Sequence, residues 1–257
     1  MSDTTPNPTA GSLPVPPINH VCSTQMQDEV ETLLAMTLRL GACTLIGGPI
    51  GIGKTTAIAT AARSLDSQPV YINMFGTNTT RDQMDTIWTA MTGTKGVGTA
   101  QAIRDQILET LQRKQMTLLI DDAHHVGYSA LTCILSIYDR YYSSRGRGTP
   151  IVLVGNDLET ELRRRLPELL GRAGLRREFA PIAGKPLVEF ILAMQPRIAG
   201  TNPATIRDID NRHFRGDLRR WRQFFEVLDM VRTKPGPDPL TDDEVNTVLT
   251  LIPKSTR

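Results

Sequence analysis

A three-layer α/β domain built on a parallel sheet, followed by a small all-α unit, is the fold class this sequence predicts. Three observations carry that expectation. Short apolar or β-branched runs alternate with helix-forming stretches between residues 44 and 181. The first of those runs leads into Gly48-Pro49-Ile50-Gly51-Ile52-Gly53-Lys54-Thr55, which fits the pattern G-x-x-x-x-G-K-[ST] at every fixed position. After Gly184 the β signal stops and only helical patterns remain. Near-continuous apolar strands separated by helices imply a sheet covered on both faces, hence parallel.

The elements follow in order. Residues 1–18 carry Pro6, Pro8, Pro14, Pro16 and Pro17 among Ser, Thr and Asn, without apolar periodicity, as a disordered or extended arm would. Ser23 is a candidate N-cap for a helix to about Leu40, on which Met26, Val30, Leu33 and Leu34 recur at helical spacing. Strands are expected at 44–47, 69–73, 117–121, 151–155 and 177–181, and helices at 54–65, 81–92, 99–114, 128–143 and 158–170. In the helix at 128–143, Leu131, Ile134, Leu135, Tyr138 and Tyr141 make one apolar stripe, edged by Tyr128 and Tyr142. Further helices are expected at 185–197, 203–210 and 216–232. Lys234-Pro235-Gly236-Pro237-Asp238-Pro239 is a break, and Thr241-Asp242-Asp243-Glu244 reads as a capping box opening a last helix to 252. The expected organisation is an arm at 1–18, a nucleotide-binding α/β domain at 19–183, a helical lid at 184–232, and a linker and tail helix at 233–257.

Composition bounds the classes. The chain has 257 residues, 40% hydrophobic and 22% charged, enough for one large domain or a large and a small one. No apolar run approaches the ~18 residues of a bilayer span and no signal peptide opens the chain, so a cytoplasmic residence without membrane partners is expected. Cys22, Cys43 and Cys133 are odd in number and widely separated, which suits core thiols better than a disulfide framework. A net charge of +2 does not by itself argue for nucleic acid, although arginines crowd residues 163–177 and 207–222.

The chemistry sits at strand ends. In a strand–loop–helix setting the glycines let backbone N–H groups face a nucleotide's phosphates. Lys54 then reaches the β- and γ-phosphates and Thr55 holds Mg²⁺, with Thr56 beside it at the helix start. The apolar run Thr117-Leu118-Leu119-Ile120 ends in Asp121-Asp122. Asp121 is placed to bind Mg²⁺ and Asp122 to orient or deprotonate the attacking water, a helix cap being the alternative. His124 and His125 are adjacent, point apart, and do not make a metal pair. Asn156 ends the next strand, where an amide can hold the lytic water and sense the γ-phosphate, and Asp157 is expected to cap the helix after it. Leu169-Leu170-Gly171-Arg172 and Gly216-Asp217-Leu218-Arg219 complete the set.

This order resembles the AAA+ ATPases over about residues 20–230. The resemblance implies an AAA+ P-loop αβα domain with a small all-α lid. In it Lys54, Thr55 and Asp121 would hold ATP·Mg²⁺, within a loop comprising Gly48, Pro49, Ile50, Gly51, Ile52, Gly53 and Thr56. Asp122 would be the base and Asn156 sensor 1. Arg172 would be the finger reaching a neighbouring subunit's γ-phosphate, with Arg176 as the alternative, and Arg219 the lid's sensor 2. Asp-Asp stands where many members have Asp-Glu, which implies slow turnover or an ATP switch.

The region between the second strand and Asp121 is similar to that of the ATPase regulators of DNA transposition, the TniB, TnsC and phage Mu B group, with IstB as a cousin. Those relatives polymerise with ATP on duplex DNA and deliver a target site to a transposase. The resemblance implies a homo-oligomer, a ring or helical filament, and offers Arg81, Lys95 and Thr99 as DNA contacts; the alternative for Lys95 and its glycines is a flexible connection between helices. An origin initiator or helicase loader, and a non-DNA scaffold, are the other classes. The tail helix is open to partner docking or to packing on the lid.

Overall fold

The computed structural model describes residues 24–65, 69–114, 116–146, 148–232 and 238–252. The N-terminal arm, Ser23, Cys22 and most of the proline-rich break lie outside the described residues, as does the side chain of Tyr141. The described residues divide into two compact units. The first comprises Gln25–Gly48 and Lys54–Phe179, and the second comprises Pro49–Gly53 and the residues from Ala180 onward.

In the first unit, strands β1 (Cys43–Gly47), β2 (Val70–Asn73), β3 (Leu118–Asp121), β4 (Ile151–Val154) and β5 (Ala173–Glu178) form one parallel sheet in the order β2-β3-β4-β1-β5. Every residue of β1, β3 and β4 is buried, as expected of central strands with helices on both faces. Parallel pairing brings all the C-terminal strand ends to one edge. The connection leaving β1 runs to the far edge at β2 while every later connection runs the other way, which makes the end of β1 a switch point of the kind where open α/β sheets bind ligands.

Helices α1 (Gln25–Leu40), α2 (Lys54–Arg63), α3 (Thr80–Thr92), α4 (Ala100–Arg113), α5 (Tyr128–Arg145), α6 (Leu158–Arg165) and α7 (Pro167–Arg172) cover the sheet. Alternation along β1 shows both faces in use. Cys43 and Leu45 join a core with Met84 and Ile87 of α3, Ile103 and Ile107 of α4, and Ile134 and Ile137 of α5. Thr44 points the other way, where its hydroxyl meets that of Thr37 on α1 at 2.6 Å. Burial pushes the Cys43 thiol up to about 12, so Cys43 is an inert core group. On α5, Leu131, Ile134 and Tyr138 are buried as their spacing predicts, while Tyr128 and Tyr142 stay exposed.

Two expectations need correction. The single helix at 158–170 is two, because Pro167 has no N–H to donate and restricts Leu166, which leaves helical geometry at φ −152° and ψ 73°. The last strand begins at Ala173 rather than 177. It is a sheet edge whose residues are mostly exposed, so it lacks the apolar run that marks a buried strand.

In the second unit, α8 (Gly184–Met194), α9 (Pro203–Ile209), α10 (Leu218–Val231) and α11 (Asp242–Leu251) surround Trp221 and Phe224, both fully buried. A π-turn at Asp210–Phe214 lets the buried Asp210 carboxylate accept from Gly216 N–H at 2.9 Å and from Trp221 Nε1 at 2.9 Å. The capping box at Thr241 and Glu244 is present. Val245 and Val248 of α11 enter the same core, so the tail helix packs on the lid's own helices.

Arg232, its side chain 6% exposed, grips Glu244 at 2.9 Å and holds its carboxyl down at about 2. Glu244→Gln is expected to cost about 1–2 kcal/mol at pH 7, allowing for partial screening. A folded-state pKa below the unfolded 4.5 gives stability that is complete above that value and lost as pH falls towards 2. Denaturant melts of the parent and variant should therefore differ at pH 7 and converge in acid.

Candidate functional site

The loop after β1 works through its glycines. Gly48, Gly51 and Gly53 have φ of 146°, 84° and 95°, values that a side chain resists. At Gly51 the requirement is steric as well, since a Cβ would lie 2.0 Å from Asp217 Oδ1. The Gly51 carbonyl accepts from Leu218 N–H at 2.9 Å, which ties the loop's apex to the start of α10. Asp217 caps α10 by accepting from the N–H groups of Arg219 and Arg220. The Arg219 side chain is exposed at this helix start.

Lys54 opens α2, and its ammonium donates to Gly48 O at 2.6 Å and to Asn156 Oδ1 at 2.8 Å. Thus the lysine after β1 and the amide after β4 meet, as the parallel pairing of those strands allows. Thr55 Oγ1 donates to Asp121 Oδ2 at 2.8 Å, bringing the other expected pair together. Thr56 follows, partly buried on the same helix.

Asp121 is 3% exposed. Besides Thr55, it accepts from the Tyr71 hydroxyl at 2.9 Å and from Asp122 N–H at 2.9 Å. Burial nevertheless pushes its carboxyl above the usual range, so these donors do not fully compensate the ionised form. A divalent cation would. Asp121 and Thr55 supply the hard oxygen donors that Mg²⁺ prefers, and the residues present fit that ion. When bound with a nucleotide, Mg²⁺ neutralises charge on the phosphates. Among the described residues no group of three or more His, Cys, Asp or Glu side chains could hold a metal by itself, so a cation here would also need the Thr55 hydroxyl and the nucleotide.

Asp122 sits in the left-handed region at φ 53°, and its side chain makes no capping bond to the 3₁₀ turn Ala123–His125 that follows. The capping alternative therefore fails, leaving a carboxylate next to the Asp121 carboxyl. Asp157 does occupy the position before α6, but at φ 46° its side chain makes no capping bond either, contrary to expectation. His124 lies against Asn156, and His125 meets the exposed Phe75 edge-on at 5.6 Å; the two imidazoles, expected to point apart, instead lie side by side with centroids 4.2 Å apart.

The two finger candidates differ. Arg172, at the end of α7, is 51% exposed and forms a forked pair with Asp139 of α5, with Nε 2.7 Å from Oδ1. Arg176 is turned onto its own backbone, donating to Ala173 O and Leu170 O. Of the residues offered as DNA contacts, Arg81 donates to Gly98 O at 2.7 Å and Gly96 O at 3.0 Å, and Thr99 caps α4 by accepting from Ala102 N–H. Lys95 is exposed on the loop that these two residues hold.

Tyr71 escaped sequence reasoning. In the sequence it is one more β-former, and only the pairing of β2 with β3 brings its hydroxyl to Asp121.

Residues 38–166 match the family described as AAA domain. No curated protein matches the chain. Among solved structures, the ORC2 protein of Aeropyrum pernix in ADPNP–ADP complexes aligns at a TM-score of 0.69 and 18% identity, covering 92% of this chain and 70% of that one. Cdc6p of Pyrobaculum aerophilum aligns at 0.72 and 15%, covering 91% and 69%. The Aeropyrum pernix ORC1 protein in complex with DNA aligns at 0.66 and 16%, covering 88% and 64%. At these identities the likeness is one of fold.

Tyr71→Phe should raise the Mg²⁺ concentration that half-saturates nucleotide binding by about tenfold, the usual effect of removing a ligand's outer partner. Metal-free binding of a fluorescent nucleotide should stay unchanged, and titrations with and without chelator read both quantities.

Proposed function

Because the chain belongs to the AAA domain family, we propose that it is an ATPase switch that binds duplex DNA without sequence preference. On this reading it oligomerises on the duplex and delivers target DNA to a transposase. The observation that carries the nucleotide half is the convergence of Lys54 on Asn156 and of Thr55 on Asp121 at adjoining strand ends. Lys54 draws the β- and γ-phosphates, Asn156 senses the γ-phosphate, and Asp122 orients the water. Positioning and charge stabilisation supply the catalysis. The short Asp122 side chain makes turnover slow.

Arg172 is the finger supplied to a neighbouring copy. It is exposed at the end of a helix and held ready by the Asp139 carboxylate, whereas Arg176 donates to the backbone carbonyls of Ala173 and Leu170. Arg219 serves as the lid's sensor. DNA contact falls to Lys95 and the backbone of its loop, because Arg81 and Thr99 shape that loop from within. One cation per subunit binds phosphate weakly, and many subunits in line bind it strongly. No helix among the described residues is long and apolar enough to cross a membrane.

A second reading, an initiator or helicase loader, is favoured by the likeness to the archaeal ORC and Cdc6 structures, one of them solved with DNA. The Asp121-Asp122 pair suits it too. Co-purification with a transposase or with a helicase separates the two, and absence of any DNA-stimulated hydrolysis would leave only a non-DNA scaffold.

Electron microscopy with duplex DNA should reveal decorating helical particles with ATP or a non-hydrolysable analogue and none with ADP. Rings free of DNA would contradict the targeting reading. Arg172→Ala is expected to abolish that assembly and lower kcat by about 10³-fold, while Arg176→Ala retains activity. If Arg172→Ala assembles and turns over ATP like the parent, the shared-site mechanism is wrong.

A further inference from the structure

Asn156 has a second neighbour besides Lys54. Its side-chain Nδ2 lies 3.4 Å from His124 Nε2, and its backbone N–H 3.5 Å from His124 Nδ1. Lys54 fixes the sense of the amide, since Oδ1 accepts from Nζ and the NH₂ group must face the imidazole. A neutral imidazole has one acceptor nitrogen, so only one of these two Asn156 donors is hydrogen-bonded to the ring at a time. The approach depends on Gly155, where a Cβ would lie 3.1 Å from both His124 N and His124 Nδ1.

The turn that carries His124 is gripped from its other side. Gln83 of α3, 2% exposed, donates from Nε2 to His125 O at 3.2 Å and accepts on Oε1 from Gly127 N–H at 3.1 Å. Its Nε2 also reaches Thr77 O at 3.4 Å. The buried amide is thus spent on backbone groups flanking the 3₁₀ turn and preceding α3. On the same helix, Arg81 holds Gly96 O and Gly98 O, and Asp85 accepts from Gly96 N–H. Polar contacts, joined through the backbone of α3, therefore link Asn156 to the loop bearing Lys95.

We infer that His124 and Gln83 are positioning residues that couple the γ-phosphate-sensing amide to the α3–α4 loop, so that nucleotide state sets DNA affinity. The inference rests on the proposed ATP- and DNA-binding reading. A γ-phosphate claims Lys54 and the Asn156 NH₂ group, which leaves His124 only the backbone N–H of Asn156. The turn then shifts against Gln83, which carries α3 and, through Arg81, the backbone of the loop. Coupling is reciprocal, so DNA on the loop tightens ATP by the same factor.

The test measures the affinity of the full chain for a labelled mixed-sequence duplex with a non-hydrolysable ATP analogue and with ADP. The parent should bind more tightly with the analogue, by at least about tenfold. His124→Ala and Gln83→Met should each bring that ratio close to one while still binding both nucleotides, and His124→Gln, which keeps an acceptor, should restore it. His124 is only partly buried, so its variant decides the matter even if Gln83→Met fails to fold. Variants that keep the parental ratio overturn the coupling alone. A parent that binds duplex equally with either nucleotide also overturns it, and a parent that binds no nucleotide or no duplex sinks the functional reading beneath it.

Discussion

The site depends on a carboxylate that folding places almost out of water. Burying an ionised Asp121 is costly unless donors or a cation compensate, and this chain provides donors from α2, from β2 and from the backbone of the next residue. They leave the carboxyl short of full compensation. That shortfall suits the strand end to the divalent ion proposed for it, and the donors align the elements around one point. Thr55 fixes the first turn of α2, Tyr71 fixes the register of β2, and both reach the same oxygen.

The lysine extends this arrangement across the sheet. Lys54 bridges the loop leaving β1 and the end of β4, so the strand order β3-β4-β1 puts Asp121, Asn156 and the Lys54 ammonium at adjoining strand ends. In the second unit, the loop apex and α10 are joined by the Gly51–Leu218 bond, and the buried Asp210 shapes the turn ahead of that helix. Apart from the Lys54–Asn156 bond, these contacts each use a backbone group that would otherwise need water.

Where a residue's role follows from its neighbours in the chain, the sequence announces it. The glycine loop, the apolar run ending in Asp121 and the amide at Asn156 are read from spacing alone, and the central strands from their unbroken apolar character. Tyr71, His124 and Gln83 act through partners 50, 32 and 42 residues away, which no local pattern encodes. The start of β5 was illegible for a different reason, because a strand paired on one side lacks the hydrophobic run that marks a buried one. Arg81 shows how far a local reading reaches: a cation at a helix start beside a loop suggests an external ligand, whereas its guanidinium donates to the carbonyls of the loop after α3.

That outermost strand has a consequence for how copies of the molecule can meet. β5 offers its free side with Arg176, Arg177 and Glu178 along it, Arg177 is held by Glu29 at 2.6 Å, and its ladder to β1 is irregular at Cys43 and Thr44. Charges and broken register on a free margin deter another chain from zipping on by main-chain bonds. At this margin, the stacking proposed above would run through side-chain faces, which ligands can make or break, rather than through sheet extension, which would be close to irreversible.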